Sequence, residues 1–494
     1  MITELEFKSL AAQGFNRIPL IAEAFADLET PLSLYLKLAC ASGSGSRSFL
    51  LESVVGGERF GRYSFIGLPA RTELRTTGMR TDVIADDVII ESHDGNPLDF
   101  IEEYQSRFRV ALRPGLPRFC GGLAGYFGYE AVRFIEPKLA RCEKPDAIGT
   151  PDILLLQCEE LAVIDNLSGR LYLIVYADPG LRESFSKAKR RLGELADSLR
   201  GSVIPPEVKR RPAHNVEREF PKAAYLAAVH RAKEYIASGD MMQVQIGQRL
   251  KMRYTESPLS LYRALRSLNP SPYMYFYDMG DFQIVGASPE ILVRQERTAL
   301  GQKVTIRPLA GTRPRGATPE QDLALEAELR SDPKEHAEHL MLIDLARNDI
   351  GRIAQTGSVK VTEAFVVERY SHVMHIVSNV EGLVKENMTN LDVLRATFPA
   401  GTLTGAPKIR AMEVIDELEP SKRGIYGGAC GYLSFAGDMD VAIAIRTGII
   451  KAQTLYVQAA AGIVADSVPE LEWNETEAKA RALLRAAELV EEGF

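Results

Sequence analysis

The sequence predicts an α+β fold: a sandwich core of antiparallel β-sheets with helices packed outside it. Strand candidates come in runs, helices separate only some of them, and several neighbouring strands are joined by hairpin-length connections, which suits antiparallel pairing better than a doubly wound parallel sheet. The chain has 494 residues, 46% hydrophobic and 25% charged, which is ordinary globular usage with length for more than one core. A linker is expected in GSVIPPEVKRRPAHNVEREF (201–220), where a Pro pair and dense charge replace apolar periodicity. It divides the chain into two domains, 1–205 and 206–494.

Each element follows from local pattern. DILLLQCEELAVIDNLSGRLYLIVYA (152–177) reads as two β-rich runs joined by a turn at 166–169, followed by a charged helix over 181–199. Beyond the linker, PKAAYLAAVHRAKEYIASGD has apolar residues at helical spacing and a Gly stop. MMQVQIGQRLKMRY, FQIVGASPEILVRQ, VTIRPLAGT, EAFVVERYSHVMHIVSNVEG, GGACGYLSFAG, MDVAIAIRTGIIK and TLYVQAAAGIV then read as strands.

Composition excludes several classes of function. A net charge of −7 argues against nucleic acid as partner, because phosphate backbones need a clustered excess of Lys and Arg. The five cysteines, Cys40, Cys120, Cys142, Cys158 and Cys430, are widely spread without a C-x-x-C pair, so they read as reduced thiols. The start lacks a basic segment followed by an apolar run, and no stretch stays apolar for a bilayer's width. A soluble, cytoplasmic protein is expected.

Chemistry concentrates in two acidic clusters. In DPKEHAEHLMLIDLARND (332–349), Asp332 and Pro333 mark a helix start, and Glu335, Glu338, His339 and Leu342 share one face. PELEWNETEAKARALLRAAEL repeats the spacing with Glu472 and Glu475 at another helix start. One such pair alone is usually a solvated acidic face. Two suit a hard divalent cation, because magnesium takes one or two protein carboxylates and leaves its other positions to water and substrate oxygens. Zinc fits poorly, since His336 and His339 are three apart and not four. If HVMHIVSN is a strand, His372 and His375 point to opposite faces and at most one lines a site. Arg446 stands in an apolar strand, where a fixed cation needs an anion to meet it. QAAAGIVADS offers bare backbone N–H groups to a ligand, and GTLTGAPKIRAMEV offers a threonine cap, Pro407 and Lys408 at an anion-receiving helix start. The latter is not a P-loop, because its spacing departs from G-x-x-x-x-G-K-[ST].

With these motifs on the page, the chain resembles the chorismate-utilising enzymes, most closely the anthranilate synthase large-subunit branch. The matching strings are LLES (50–53), NPSPYMYF (269–276), GASPE (286–290), PLAGTRPRG (308–316), DPKEHAEHLMLIDLARNDIGR, HVMHIVS, FPAGTLTGAPKIRAME, RGIYGGACGYL, AIRTG and QAAAGIVADSVPELEWNET. They cover nearly the whole chain, densely after the linker; before it, LLES and GGLAGYFGYE (121–130) are the best anchors.

The resemblance implies an anthranilate synthase-like fold and the first committed step of tryptophan formation: chorismate and ammonia to anthranilate and pyruvate. It implies magnesium on Glu338 and Glu475, with Glu335 and Glu472 as neighbours that bind the metal or its waters. Substrate contacts fall on Gly311, Thr312, Tyr426, Arg446 and the Ala460, Ala461 and Gly462 backbone, with Lys408 added from its helix start. The general acid for the departing 4-hydroxyl falls on Glu290, and the active-site histidine, near the pyruvyl ether, on His375. Related isochorismate and salicylate synthases carry a lysine base where this chain has Gln243, which cannot take a proton from water and so points to ammonia. Aminodeoxychorismate synthases carry a nucleophilic lysine where this chain has Ala310. The alternatives are an enzyme stopping at 2-amino-2-deoxyisochorismate, an aminodeoxychorismate synthase, and a non-catalytic chorismate-binding relative. Ser53, Pro272, Tyr273 and Met274 fall on a site for L-tryptophan as inhibitor. Cys430 lacks the Gly that an amidotransferase elbow needs, having Tyr432 in its place, so ammonia is expected from a separate glutamine amidotransferase small subunit.

Overall fold

The computed structural model describes residues 2–40, 45–54, 61–210, 212, 214–370 and 373–493. Two antiparallel sheets of twelve strands each form the molecule's centre. The first runs from an edge at Ile18–Phe25 through Arg170–Ala177, Glu160–Asp165, Tyr63–Gly67 and Ser48–Glu52. It continues into Tyr273–Asp278, Phe282–Ser288, Thr447–Lys451, Thr454–Ile463 and Gln243–Arg253. The second begins at Leu309–Pro314, Val373–Leu383, Gly301–Ile306, Ile291–Thr298, Met439–Ile443 and Ala429–Ser434, and ends through Gly122–Phe127, Ile153–Cys158, Thr72–Thr77, Arg80–Ala85 and Val88–Asp94. Each sheet joins strands from both sides of the 205/206 boundary, through Ser48–Glu52 on Tyr273–Asp278 in one and Gly122–Phe127 on Ala429–Ser434 in the other.

Strand alternation builds the layers. Leu154 and Leu156 pack between the sheets with Phe49, Tyr126, Tyr275, Tyr277, Phe282 and Tyr432, while Ile153 and Leu155 face the helices beyond the second sheet. Leu50 and Phe276 face outward from the first sheet onto Tyr35, Leu261, Leu265 and Leu483. The helices Pro258–Leu268 and Pro469–Glu492 cover that side; Pro333–Ile353 and Asn390–Thr397 cover the other. No helix among the described residues is long and apolar enough to cross a membrane.

Three runs expected to be single strands are broken by a change of sheet. The 152–165 run divides at Glu159 into Ile153–Cys158 and Glu160–Asp165. FQIVGASPEILVRQ divides at Pro289 and Glu290, and MDVAIAIRTGIIK at 444–446. The last two crossings lie side by side: Ile443 donates its N–H to the Glu290 carbonyl at 3.0 Å, and Ser288 donates its hydroxyl to the Ile443 carbonyl at 2.7 Å. Glu290 and Arg446 therefore stand where the chain passes between sheets, and Arg446 is not within a strand.

Candidate active site

The first acidic helix forms as its sequence dictates. Asp332 accepts from the Lys334 and Glu335 N–H groups at 2.9 and 3.3 Å, and Pro333 fills the first helical position, where no N–H is needed. Glu335 is half-buried, and desolvation raises its pKa against the opposing pull of the Arg313 guanidinium at 3.3 Å; nearby Glu338 pushes it further up. Glu338 accepts a hydrogen bond from Gln243 Nε2 at 3.1 Å, tying this helix to the first sheet.

The second acidic helix, Pro469–Glu492, presents its pair to the same region. Burial raises the Glu472 pKa and Glu475 adds to it, while a hydrogen bond from Ser467 and the charges of Lys334 and Lys479 oppose. Lys334 belongs to the first acidic helix, so the two helix starts feel one another's charge. Glu475 pairs with Lys479 at 2.6 Å, and Lys479 also donates to the Ala460 carbonyl at 2.8 Å. Each like-charge pair thus carries more negative charge than its neighbours offset, and every donor is a hard oxygen, which fits magnesium. Among the described residues no group of three acidic, His or Cys side chains converges to cage an ion, so any bound cation would take most of its ligands from water or substrate.

The strand after the acidic helix places the histidine. Leu309–Pro314 pairs with Val373–Leu383, but the register slips between Ala310 and Arg313, bulging Gly311 and Thr312 toward the partner strand. There the Gly311 carbonyl lies 2.8 Å from His375 Nδ1 and the Thr312 hydroxyl 3.1 Å from it. A carbonyl can only accept, so Nδ1 carries the proton and Nε2 holds the lone pair of the neutral ring. Burial lowers the His375 pKa, the Gly311 bond opposes this, and nearby Arg446 lowers it further, which keeps the ring neutral. Gly311 has φ +65°, and a Cβ there would sit 3.1 Å from Glu335 Oε2, so backbone and acidic helix meet closely. His372 lies outside the described residues.

Glu290 is a buried acid. Desolvation drives its pKa to about 8, against the opposing pull of nearby Thr402, the Leu309 backbone and the charge of Lys479, so it is protonated at neutral pH. Arg446 has φ +51° and no salt bridge or hydrogen bond from its guanidinium among the described residues. Desolvation lowers its pKa, while Tyr426 and Glu475 pull it up. Tyr426 turns its hydroxyl to the Ala460 backbone, and burial raises its pKa. The strand Thr454–Ile463 sets Gly462, Ala461 and Ala460 opposite Gln245, Ile246 and Gly247. A Cβ on Gly462 would lie 2.6 Å from Gln243 Nε2, so only glycine leaves that amide its place.

Contacts and charge interactions thus link Gln243, Gly311, Thr312, Glu335, Glu338, His375, Tyr426, Arg446, Ala460, Gly462, Glu472 and Glu475 in one region, and Glu290 joins them through the charge of Lys479. Lys408 stands apart. Its ammonium pairs at 2.8 Å with Asp349, and the helix Lys408–Leu418 starts at Pro407 without a side-chain cap, since Thr404 donates back to the Ala400 carbonyl. Three partners lacked a sequence signal of their own: Arg313, Thr402 and Gln245. Lys479 had one, four residues beyond Glu475 on the same helix face. Ser53, Pro272, Tyr273 and Met274 line a separate pocket of about 540 Å³ including its mouth, together with Arg294, Tyr432 and Asp440 of the second sheet.

Comparison with known proteins shows the family and the fold. The profile of the chorismate binding enzyme family matches residues 58–485. Anthranilate synthase component 1 of Neisseria meningitidis serogroup A is 58% identical over the full length of both chains, and that of Pseudomonas aeruginosa 55% over 99% of each. The crystal structure of anthranilate synthase component I from Streptococcus pneumoniae superposes with a TM-score of 0.77 at 38% identity, covering 94% of this chain and 99% of that one. The menaquinone-specific isochorismate synthase MenF of Escherichia coli shares the fold, with a TM-score of 0.71 at 19% identity over 95% and 94%.

Proposed function

The chain belongs to the chorismate binding enzymes, and from that premise we propose that it turns chorismate and ammonia into anthranilate and pyruvate by the residues assembled above. One observation carries the assignment of roles: within one region the fold keeps a carboxyl protonated at Glu290 and an imidazole unprotonated at His375. An elimination that expels hydroxide and then removes a carbon-bound proton needs this opposite pair.

The steps follow from the side chains. Arg446, whose guanidinium has no salt-bridge or hydrogen-bond partner among the described residues, receives a substrate carboxylate, and Tyr426 and the Ala460 to Gly462 backbone hold the same end of the molecule. Ammonia attacks carbon 2 of the ring while Glu290 gives its proton to the departing 4-hydroxyl, which leaves as water. His375, with Nε2 free, lies beside the pyruvyl ether for the proton movements of the elimination, and aromatisation drives pyruvate off. Gln243 donates to Glu338 and has no base to offer water, and Ala310 has no amine for a covalent route, which favours amination over the related outcomes. Glu338 and Glu475, with Glu335 and Glu472 beside them, would hold magnesium, which when bound supplies positive charge to the ring carboxylate.

Ammonia comes from a separate glutamine amidotransferase subunit; Cys430 is buried between the sheets with its thiol pushed up to about 12, unsuited to nucleophilic work. L-Tryptophan occupies the pocket at Ser53, Pro272, Tyr273 and Met274 as inhibitor. The test is the product: chorismate, ammonium and magnesium with the purified chain should yield anthranilate, identified by fluorescence and mass, and a chelator should stop it. Accumulation of aminodeoxychorismate or isochorismate would refute the assignment.

A further inference from the structure

Beneath the substrate-facing walls lies a polar cluster that the reaction does not use. Arg423 is 1% exposed and Glu419 3%, four residues apart. Arg423 Nε and Nη2 donate to the two Glu419 oxygens at 2.9 and 2.6 Å. Two of its three remaining hydrogens go to backbone: Nη1 to the Leu403 carbonyl at 2.7 Å and Nη2 to the Gln245 carbonyl at 3.0 Å. Glu419 Oε1 also accepts the Gly247 N–H at 2.8 Å. The guanidinium lies over the Tyr129 ring at 4.8 Å and near that of Tyr426 at 5.8 Å.

Each bond ends on an element that carries part of the site. Leu403 follows Thr402, which lines one cavity with Glu290. Gln245 and Gly247 sit on the strand of Gln243, opposite Gly462 and Ala460. Tyr426 is three residues beyond Arg423, and the turn after it pairs with the crossing that leads to Arg446, through Gly427 N–H to the Ala444 carbonyl at 2.9 Å and Ala444 N–H to the Gly428 carbonyl at 2.8 Å. A second buried cation, Arg249, holds the same loop from the other side by donating to the Lys422 and Arg423 carbonyls and to Ser421 Oγ. A buried ion pair is a poor source of net stability, because desolvation offsets the attraction. What this one supplies is fixed geometry among three walls.

We propose that Arg423 and Glu419 are positioning residues for the reaction proposed above, on which this inference rests: their paired charges lock Tyr426, the Gln243 strand and the Thr402 turn at the spacing chorismate requires. The experiment is a cycle of Arg423→Lys and Tyr426→Phe, alone and together, read as kcat/KM for chorismate with saturating ammonia, with thermal unfolding of each variant. Lysine keeps the charge but loses the fork. Each single variant should lose about tenfold, and the pair clearly less than the roughly hundredfold product, because part of what Arg423 positions is the hydroxyl that Tyr426→Phe removes. Should Arg423→Lys not fold, Glu419→Gln, which keeps the shape and drops the charge, takes its place in the cycle with the same expectation. Multiplicative losses, or a folded Arg423→Lys enzyme with wild-type kcat/KM, would overturn the clamp. A wild-type chain that makes no anthranilate overturns the reaction itself and the clamp with it, so the two failures are told apart by the wild-type arm.

Discussion

At the scale of single residues, the site sets a carboxyl held in its less common protonated state beside an imidazole held neutral. Glu290 is the proposed acid, with a pKa of about 8 set by burial. Its removal as Glu290→Gln should lower kcat by two to four orders of magnitude, about the worth of a general acid, while the wild-type rate should fall as pH rises through about 8. A kcat profile with no alkaline limb would contradict the role. Linkage gives a second, independent prediction. The folded pKa exceeds the unfolded one, so the native state binds more protons between about pH 4.5 and 8, and stability declines as pH rises across that window. Glu290→Gln should remove that decline, by an amount on the order of 5 kcal/mol at most, measured by denaturant unfolding at pH 5 and pH 9.

At the scale of elements, strands set the spacing that side chains exploit. Gly462 faces Gln245 across a regular ladder, and a methyl group there would displace the Gln243 amide that bonds Glu338. Gly462→Ala should therefore reduce kcat/KM about tenfold to a hundredfold with little change in Tm, since its backbone is ordinary strand and strain arises only at the amide. A comparable fall in Tm would mean that the residue serves the fold and not the site. The elements themselves were largely legible. The helix start at Asp332 and Pro333 and the 166–169 hairpin turn are local matters of capping and turn chemistry, and the structure has both. The sheet changes at Glu159, Glu290 and Arg446 were not legible: Glu159-Glu160, Ser288-Pro289-Glu290 and Arg446-Thr447-Gly448 do interrupt the apolar runs, but a local interruption does not say which sheet the next strand joins.

At the scale of the whole molecule, the two sheets give the proposed inhibitor pocket and the proposed active site a shared frame. Tyr273 and Met274 of the pocket pair with Ser288 and Ala287 of the strand that ends two residues before Glu290. Ser53→Phe should fill the pocket and abolish inhibition by tryptophan while leaving catalysis with ammonia near wild type; unchanged inhibition would remove the pocket assignment. Purified alone, the chain should use ammonium and not glutamine, and glutamine-dependent activity should appear only when an amidotransferase subunit is added. Full activity of the lone chain with glutamine would refute the two-subunit arrangement.

The sequence by itself determined which residue types carry the chemistry, the capped start of the first acidic helix, the antiparallel sheet core and, through its ordered motifs, the family. These follow from short-range periodicity and from strings long enough to be specific. Only the tertiary structure decided that Glu290 sits at a sheet crossing deep enough to keep its proton, that His375 gives Nδ1 to Gly311, and that Lys408 spends its charge on Asp349. Desolvation and hydrogen-bond partners are set by atoms distant along the chain, so no local pattern can encode them.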